Sequence, residues 1–222
     1  MNITDEIVAE VETLGPWFHN IEVIKGVETR KISPAPGPQP VSHPLGRWEA
    51  LKPHLPEDMS NTKVLDVGSA DGFFSIEFAK RGATVVANDS WSKMTDRIDF
   101  LAKAMGLPIS TIVASAESVV IEGKYDYVFN LGLLYHSRHP LLLLENMAKI
   151  DCDTMYLETT ISKSAGSHMH FKPPQEGVHH IPKWFPTQQC VLDMLSFVGY
   201  QNFEIFEYPV ESRLMLKATK SA

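Results

Sequence analysis

Cysteine is scarce: Cys152 and Cys190 are the only two in 222 residues. That excludes a disulfide framework and points to a reducing compartment. No stretch approaches the roughly 20 apolar residues that a membrane span needs. The start, Met1-Asn2-Ile3-Thr4-Asp5-Glu6, has neither a basic segment nor a long apolar one, so the chain reads as cytoplasmic with no membrane partner. Positive charge is also short, with 20 Lys and Arg against 27 Asp and Glu and a formal charge of −7. No overall basic field therefore draws in a polyanion, and a nucleic-acid partner would need a local patch. Lys25, Arg30, Lys31, Lys172 and Lys183 are the candidates for one. What is plentiful is apolar side chain, 44% of residues against 21% charged, which is globular composition at single-domain length.

Proline punctuates the first third. Residues 32–46 hold Pro34, Pro36, Pro38, Pro40 and Pro44, and each removes a backbone donor and fixes φ, so the run reads as an extended connector. Arg47 to Leu55 reads as one helix ended by Pro56. This divides the chain into an N-terminal segment, 1–60, and an α/β domain, 61–222. From Lys63 onward short β-rich runs alternate with helical ones. Strands are expected at Val64–Val67, Thr84–Ala87, Thr111–Ala114, Tyr125–Asn130 and Thr154–Glu158. Helices are expected at Phe73–Arg81, Lys93–Met105, Leu141–Ile150 and Thr187–Phe197, the last with Thr187 as N-cap and Gly199 past its end. Such alternation implies a parallel sheet covered on both faces. Two closing strands, Phe203–Tyr208 and Arg213–Ala218, have no helix between them, which suggests one antiparallel strand.

The sharpest local feature is Val64-Leu65-Asp66-Val67-Gly68-Ser69-Ala70-Asp71-Gly72-Phe73-Phe74. A strand runs into two glycines four apart and then into a helix whose N-terminus favours an anion. Ala70 stands where a dinucleotide fingerprint has its second glycine, so a nicotinamide dehydrogenase is a distant reading. Asp66 sits where a ligand ammonium could be met, and a ligand bearing carboxylate and ammonium beside a nucleoside fits better than a pyrophosphate. Asp89, at the end of the next strand, can accept both hydroxyls of a ribose. Ser115-Ala116-Glu117, after the third strand, is placed to line an adenine pocket, and Trp91 could stack on that base or pack in the core.

These features together resemble the class I S-adenosylmethionine-dependent methyltransferases. The resemblance implies a Rossmann-like α/β fold, a mostly parallel seven-stranded sheet with one antiparallel strand near the C-terminus, and S-adenosylmethionine as cofactor. Asp66, Gly68, Ser69, Gly72, Asp89, Trp91, Ala116, Glu117 and Leu131 are then the cofactor-binding candidates. Pro16-Trp17, Arg47-Trp48-Glu49 with Pro53-His54-Leu55, Leu133-Leu134-Tyr135-His136 with Pro140, Leu157-Glu158-Thr159 and Arg213 are similar, more specifically, to the tRNA wobble-uridine carboxymethyltransferase family and its shorter methyltransferase relatives. In that family a lysine two residues after the tryptophan, the tyrosine of the Tyr-His pair and the late arginine hold the extra carboxylate of a carboxylated cofactor. Tyr135 and Arg213 match, but His19 stands at the lysine position, and a neutral imidazole loses the charge-assisted bond. The family's long N-terminal region also has no match. Ordinary S-adenosylmethionine is therefore expected, with Trp17, His19, Tyr135 and Arg213 binding the acceptor, and Trp17, Phe18 and His19 forming a lid or simply packing.

Methyl transfer is an in-line displacement in which the protein aligns the nucleophile and excludes water. In this fold the segment Asn130 to His136 faces the reacting carbon. His136 is the candidate general base for a hydroxyl acceptor, with Tyr135 beside it, and a structural histidine is the equal alternative. The stretch 168–186 reads as an acceptor loop. His168, His170, His179 and His180 there read as solvated rather than metal-binding, since no carboxylate or cysteine stands at ligand spacing. The expected activity is O-methylation of a small hydroxylated or sugar-like acceptor. Modification of tRNA is the second reading, and a non-catalytic cofactor sensor the third; the oligomeric state, a homo-oligomer included, stays open.

Overall fold

The computed structural model describes residues 2–36, 44–174, 182–208 and 210–220. In chain order its elements are α1 (Ile3–Leu14), β1 (Glu22–Ile24), β2 (Val27–Glu28), α2 (Thr29–Ile32), α3 (Leu45–Leu51), β3 (Lys63–Val67), α4 (Phe73–Lys80), β4 (Thr84–Asp89) and α5 (Ser92–Met105). There follow β5 (Ile109–Val113), β6 (Tyr127–Leu131), α6 (Pro140–Ala148), β7 (Thr154–Thr160), β8 (Met169–Lys172), β9 (Lys183–Pro186), α7 (Gln188–Phe197), β10 (Tyr200–Ile205) and β11 (Arg213–Lys220). Two 3-10 turns span Lys52–His54 and Leu134–His136. The helix expected from Arg47 to Leu55 thus begins earlier, at Leu45, and tightens after Leu51, since Pro53 has no N–H to extend it.

Seven strands form one sheet in the order β10-β11-β7-β6-β3-β4-β5. β11 runs antiparallel to both neighbours, β7 and β10, while β3 with β6, β6 with β7 and β4 with β5 are parallel. The α/β sheet with a single reversed strand near the C-terminus is therefore formed as expected. Chain order reverses at β3, so the carboxyl ends of β3 and β6 are the topological switch point where such sheets take ligands.

The chain divides into two compact units, residues 1–62 with 69–113 and residues 63–68 with 114–222. In the first, α1 starts from a capping box in which Asn2 and Asp5 exchange side-chain bonds, and it buries Ile7 and Val11. Trp17, Ile21, Val23, Trp48, Leu51 and Phe78 are buried in the same unit. The N-terminal segment has too few apolar residues for a core of its own, so it shares that of α4 and α5.

In the second unit β3, β6 and β7 are buried almost from end to end, the pattern of strands covered on both faces. Thr187 caps α7, its hydroxyl accepting from Cys190 N at 3.1 Å. The stretch expected to be an acceptor loop is instead built on an antiparallel hairpin, β8 paired with β9. Alternating apolar and polar residues, Met169-His170-Phe171-Lys172, give it a strand period that the prolines on either side obscure. His179 and His180, with Pro38 and Pro40 of the connector, lie outside the described residues. Among the described residues no helix is long and apolar enough to cross a membrane.

Candidate active site

The first unit carries most of the glycine turn. Gly72 has φ +85°, and a Cβ there would sit 2.7 Å from Ile98 Cγ1, so only glycine lets the turn lie against α5. Ala70 also takes a positive φ, +49°, and its N–H donates to Asp89 Oδ2 at 3.1 Å. Ser69 is fixed to the preceding residue of that strand, donating to Asn88 O from its backbone at 2.9 Å and its hydroxyl at 3.1 Å. Asp89 Oδ1 accepts from Trp91 N at 3.0 Å. A carboxylate has about four acceptor sites; with backbone N–H groups of Ala70, Trp91 and Ser90 on it, Asp89 keeps capacity for a further donor. Burial raises its pKa above the usual aspartate range, and the backbone N–H groups of Trp91, Ala70 and Ser90 pull it back. Trp91 is 59% exposed and is not core.

Asp71, inside the same turn, is the residue that sequence reasoning passed over. Fully buried, it accepts from the backbone N–H of Phe18, from His19 N at 2.9 Å, and from Arg97 at 2.6 Å. Arg97 also donates to Leu14 O at 2.9 Å and Pro16 O at 2.7 Å, and its guanidinium lies 5.2 Å from the Trp17 ring centroid. The signal was present: Arg97 falls among Met94, Ile98 and Leu101 on the apolar face of α5, where a charge requires a partner. Through this pair the Trp17–His19 segment is held against the glycine turn. Trp17 is nevertheless wholly buried, with its indole N–H on Val11 O at 2.8 Å, so it packs the segment rather than presenting a face to an acceptor.

His19 is buried too, and its pKa is lowered to about 3 by desolvation first and then by Arg47 and Arg30. Between about 3 and the ordinary 6.5 the unfolded chain binds a proton that the folded chain refuses. Stability is therefore complete above that window and is lost as pH falls through it, by at most about 1.4 kcal/mol per pH unit. His19→Gln is expected to flatten the pH dependence of urea midpoints over this range; an unchanged slope would assign it to other groups.

The second unit supplies the other half of the candidates. Gly68 has φ +74°, and a Cβ there would come within 2.9 Å of Leu133 Cδ2. Asp66 and Leu131 are buried near the carboxyl ends of β3 and β6. Asn146 donates to the carbonyls of Ala116 at 3.1 Å and Glu117 at 3.0 Å, and Glu117 Oε1 accepts from Arg138 N at 3.0 Å. The Glu117 side chain thus braces the next loop.

Tyr135 and His136 share the 3-10 turn after β6, half-exposed, with ring centroids 4.1 Å apart. Arg213, a candidate for binding the acceptor, is already paired. Its Nε and Nη2 donate to the two oxygens of fully buried Glu158, the second at 2.9 Å, and Nη1 donates to Thr160 Oγ1 at 3.2 Å. Desolvation opposes the charge, yet the hydrogen bonds and charge of Glu158, with Tyr135, hold the guanidinium pKa above its usual value. The guanidinium also lies 5.5 Å from the Tyr135 ring centroid. Glu158 could have been found, because an acid inside the apolar run Met155-Tyr156-Leu157 must be paired.

Among the described residues no group of three or more His, Cys, Asp or Glu could hold a metal ion. His168 and His170 instead approach Ser164 Oγ through their Nε2 atoms, at 2.9 and 3.2 Å.

A glycine turn after the first sheet strand, an acid ending the second, and a sheet closed by a reversed strand define a class: the chain has the fold of the class I S-adenosylmethionine-dependent methyltransferases. Residues 64–150 match the methyltransferase domain family. Along the sequence the chain is 26% identical over 154 residues to a ubiquinone biosynthesis O-methyltransferase of Pelagibacter ubique, covering 69% of this chain and 58% of that one. It is 31% identical over 99 residues to a tRNA U34 carboxymethyltransferase of Alcanivorax borkumensis, covering 43% of this chain and 30% of the relative. With the tRNA U34 carboxymethyltransferase of Aliivibrio salmonicida the match spans 51% of the relative, so the chain spans less than two thirds of the length of each of these three relatives. In three dimensions it is similar to the N-terminal domain of EvdMO1, solved in the presence of SAH and D-fucose. That likeness has a TM-score of 0.78 at 18% identity and covers 100% of this chain and 98% of the other.

Proposed function

We propose that the chain transfers the methyl group of S-adenosylmethionine to a hydroxyl oxygen of a small, sugar-like molecule. The observation that carries this is the state of the two residues that would otherwise receive a carboxylated cofactor. His19 is neutral at any ordinary pH, and Arg213 already has its fork filled by Glu158. Neither offers the free cation that an extra carboxylate demands. D-fucose with EvdMO1 supports a sugar-like acceptor, and the ubiquinone biosynthesis relative supports oxygen as the acceptor atom.

The donor set fits the cofactor: two glycines whose Cβ positions are already occupied, and a strand-end carboxylate with an acceptor site to spare. Gly68, Ser69 and Gly72 would hold its amino-acid end with Asp66, Asp89 would take a ribose hydroxyl, and Trp91, Ala116, Glu117 and Leu131 would line the base. When bound, the cofactor supplies a methyl carbon already activated by a sulfonium. His136 would take the acceptor's hydroxyl proton as the oxygen–carbon bond forms and the sulfur–carbon bond breaks, its electron pair staying on sulfur, and Tyr135, steadied by Arg213, would orient the acceptor. Transfer to tRNA is the second reading, favoured by the carboxymethyltransferase relatives. Two of its basic residues are committed elsewhere, however: Arg30 is 5% exposed, and Lys31 is paired with Glu28 at 2.5 Å.

Mass spectrometry of the small molecule that co-purifies, followed by an S-adenosylhomocysteine-release screen with sugars and with tRNA, tests this. Ordinary cofactor and release with a hydroxylated small molecule are expected; carboxylated cofactor, or turnover on tRNA alone, overturns the proposal. Asp89→Ala is expected to weaken cofactor binding by about 1–3 kcal/mol. Because burial raises its pKa, cofactor affinity should also begin to fall at a higher pH than an ordinary aspartate would give. Calorimetry that finds neither effect removes Asp89 from the site.

A further inference from the structure

The β8–β9 hairpin places Lys172 directly opposite Lys183, with His170 opposite Phe185 further along the same face. Directly opposed residues of an antiparallel pair lie about 4.5–5.5 Å apart at Cβ, and like charges there are destabilising. Among the described residues neither lysine has a carboxylate within ion-pairing distance, whereas the neighbouring cations of this unit are matched, Lys163 by Glu211 and Arg213 by Glu158. Desolvation, and then the charge of Lys172, pushes the Lys183 ammonium below the usual lysine range. Two opposed ammonium groups are thus kept together with no carboxylate among the described residues to neutralise them. Nor are they far from the chemistry: Lys183 Nζ stands 6.0 Å from the centroid of the Tyr135 ring.

We propose that Lys172 and Lys183 bind a phosphate group carried by the acceptor, so that the substrate is a phosphorylated, hydroxylated small molecule. This rests on the methyltransferase reading above and names its substrate class. A doubly charged phosphate matches two ammonium groups better than a single carboxylate does, and lysine binds phosphate as a point charge without needing fork geometry. Arg213 is poorly placed for that role, because Glu158 takes its Nε and Nη2 edge and Thr160 its Nη1. The phosphate then anchors the substrate at the hairpin while Tyr135 and His136 handle a hydroxyl nearby.

The test is calorimetric titration of the full chain with inorganic phosphate at low ionic strength, where exposed charges are least screened. The wild type is compared with the double variant Lys172→Ala/Lys183→Ala and with Lys163→Ala, which removes an exposed lysine already paired with Glu211. Phosphate is expected to bind the wild type and Lys163→Ala alike, and the double variant about tenfold or more weakly. Equal phosphate affinity in wild type and double variant overturns the proposal. S-adenosylmethionine is titrated into the same samples. Unchanged affinity in the double variant supports a loss confined to the hairpin, and reduced affinity counts against it. Failure of the wild type to bind S-adenosylmethionine sinks the methyltransferase reading, a result separate from the phosphate arm. Single-stranded RNA is the last probe: tight binding that falls steeply with salt and vanishes in the double variant overturns the small-molecule assignment in favour of nucleic acid.

Discussion

His136→Ala is expected to lower turnover by about 10²–10⁴-fold while leaving cofactor affinity nearly unchanged, the range that general bases contribute. A hydroxyl is a poor nucleophile until its proton is taken, and in the second unit His136 is the imidazole on the turn that follows β6. Added imidazole is expected to restore part of the alanine variant's turnover by supplying the missing base. A bracing role would give a different pattern, with lower stability, changed cofactor affinity and no rescue. Turnover that is unaltered, or lowered without rescue by imidazole, removes His136 from catalysis. Tyr135→Phe separates the pair: it should raise KM for the acceptor more than it lowers kcat, because the phenol orients the acceptor and removes no proton.

Asp71→Asn is expected to destabilise the chain by about 3–5 kcal/mol, because it strands the buried Arg97 guanidinium without its counter-charge. The side chains of the pair are 2% and 0% exposed and meet at 2.6 Å, so water cannot compensate. An amide makes matters worse. Its NH2 would face donors, since Phe18 N, His19 N and Arg97 all donate to the present carboxylate. Typical domains hold about 5–15 kcal/mol in total, so this is a large share. Urea denaturation measures it: a lower midpoint at unchanged m is expected, and a loss below about 1 kcal/mol would show that the pair is not a structural clasp. Arg97→Met should be milder, because Asp71 keeps two backbone N–H donors.

The sheet was legible because its signals are local. Val64-Leu65-Asp66-Val67 followed by Gly68 and Gly72 marks a strand, a turn and a helix within eleven residues, and Thr187 and Gly106 mark helix ends through their own backbone needs. The first helix went unread for the opposite reason: only Ile7 and Val11 of its twelve residues are buried, too narrow a stripe to stand out as a period. The β8–β9 hairpin was hidden by the prolines that flank it. Reading Lys172 and Lys183 along the chain, eleven positions apart, could not reveal that they face each other, because register is a property of the pair of strands.

Among the candidate site residues, the place of Asp89 at a strand end and of Gly68 and Gly72 in a strand-to-helix turn was readable in the sequence. Arg213 was found by type but misjudged in state, since its charge depends on whether an acid reaches it. By itself the sequence determined the α/β class, the reversed strand near the C-terminus and the glycine turn, all set by residues within a few positions of one another. Only the tertiary structure decided which charges are spoken for. Arg97 meets Asp71 across 26 residues and Arg213 meets Glu158 across 55, and in a low-dielectric interior the partner, more than the residue type, fixes what a buried ion can do.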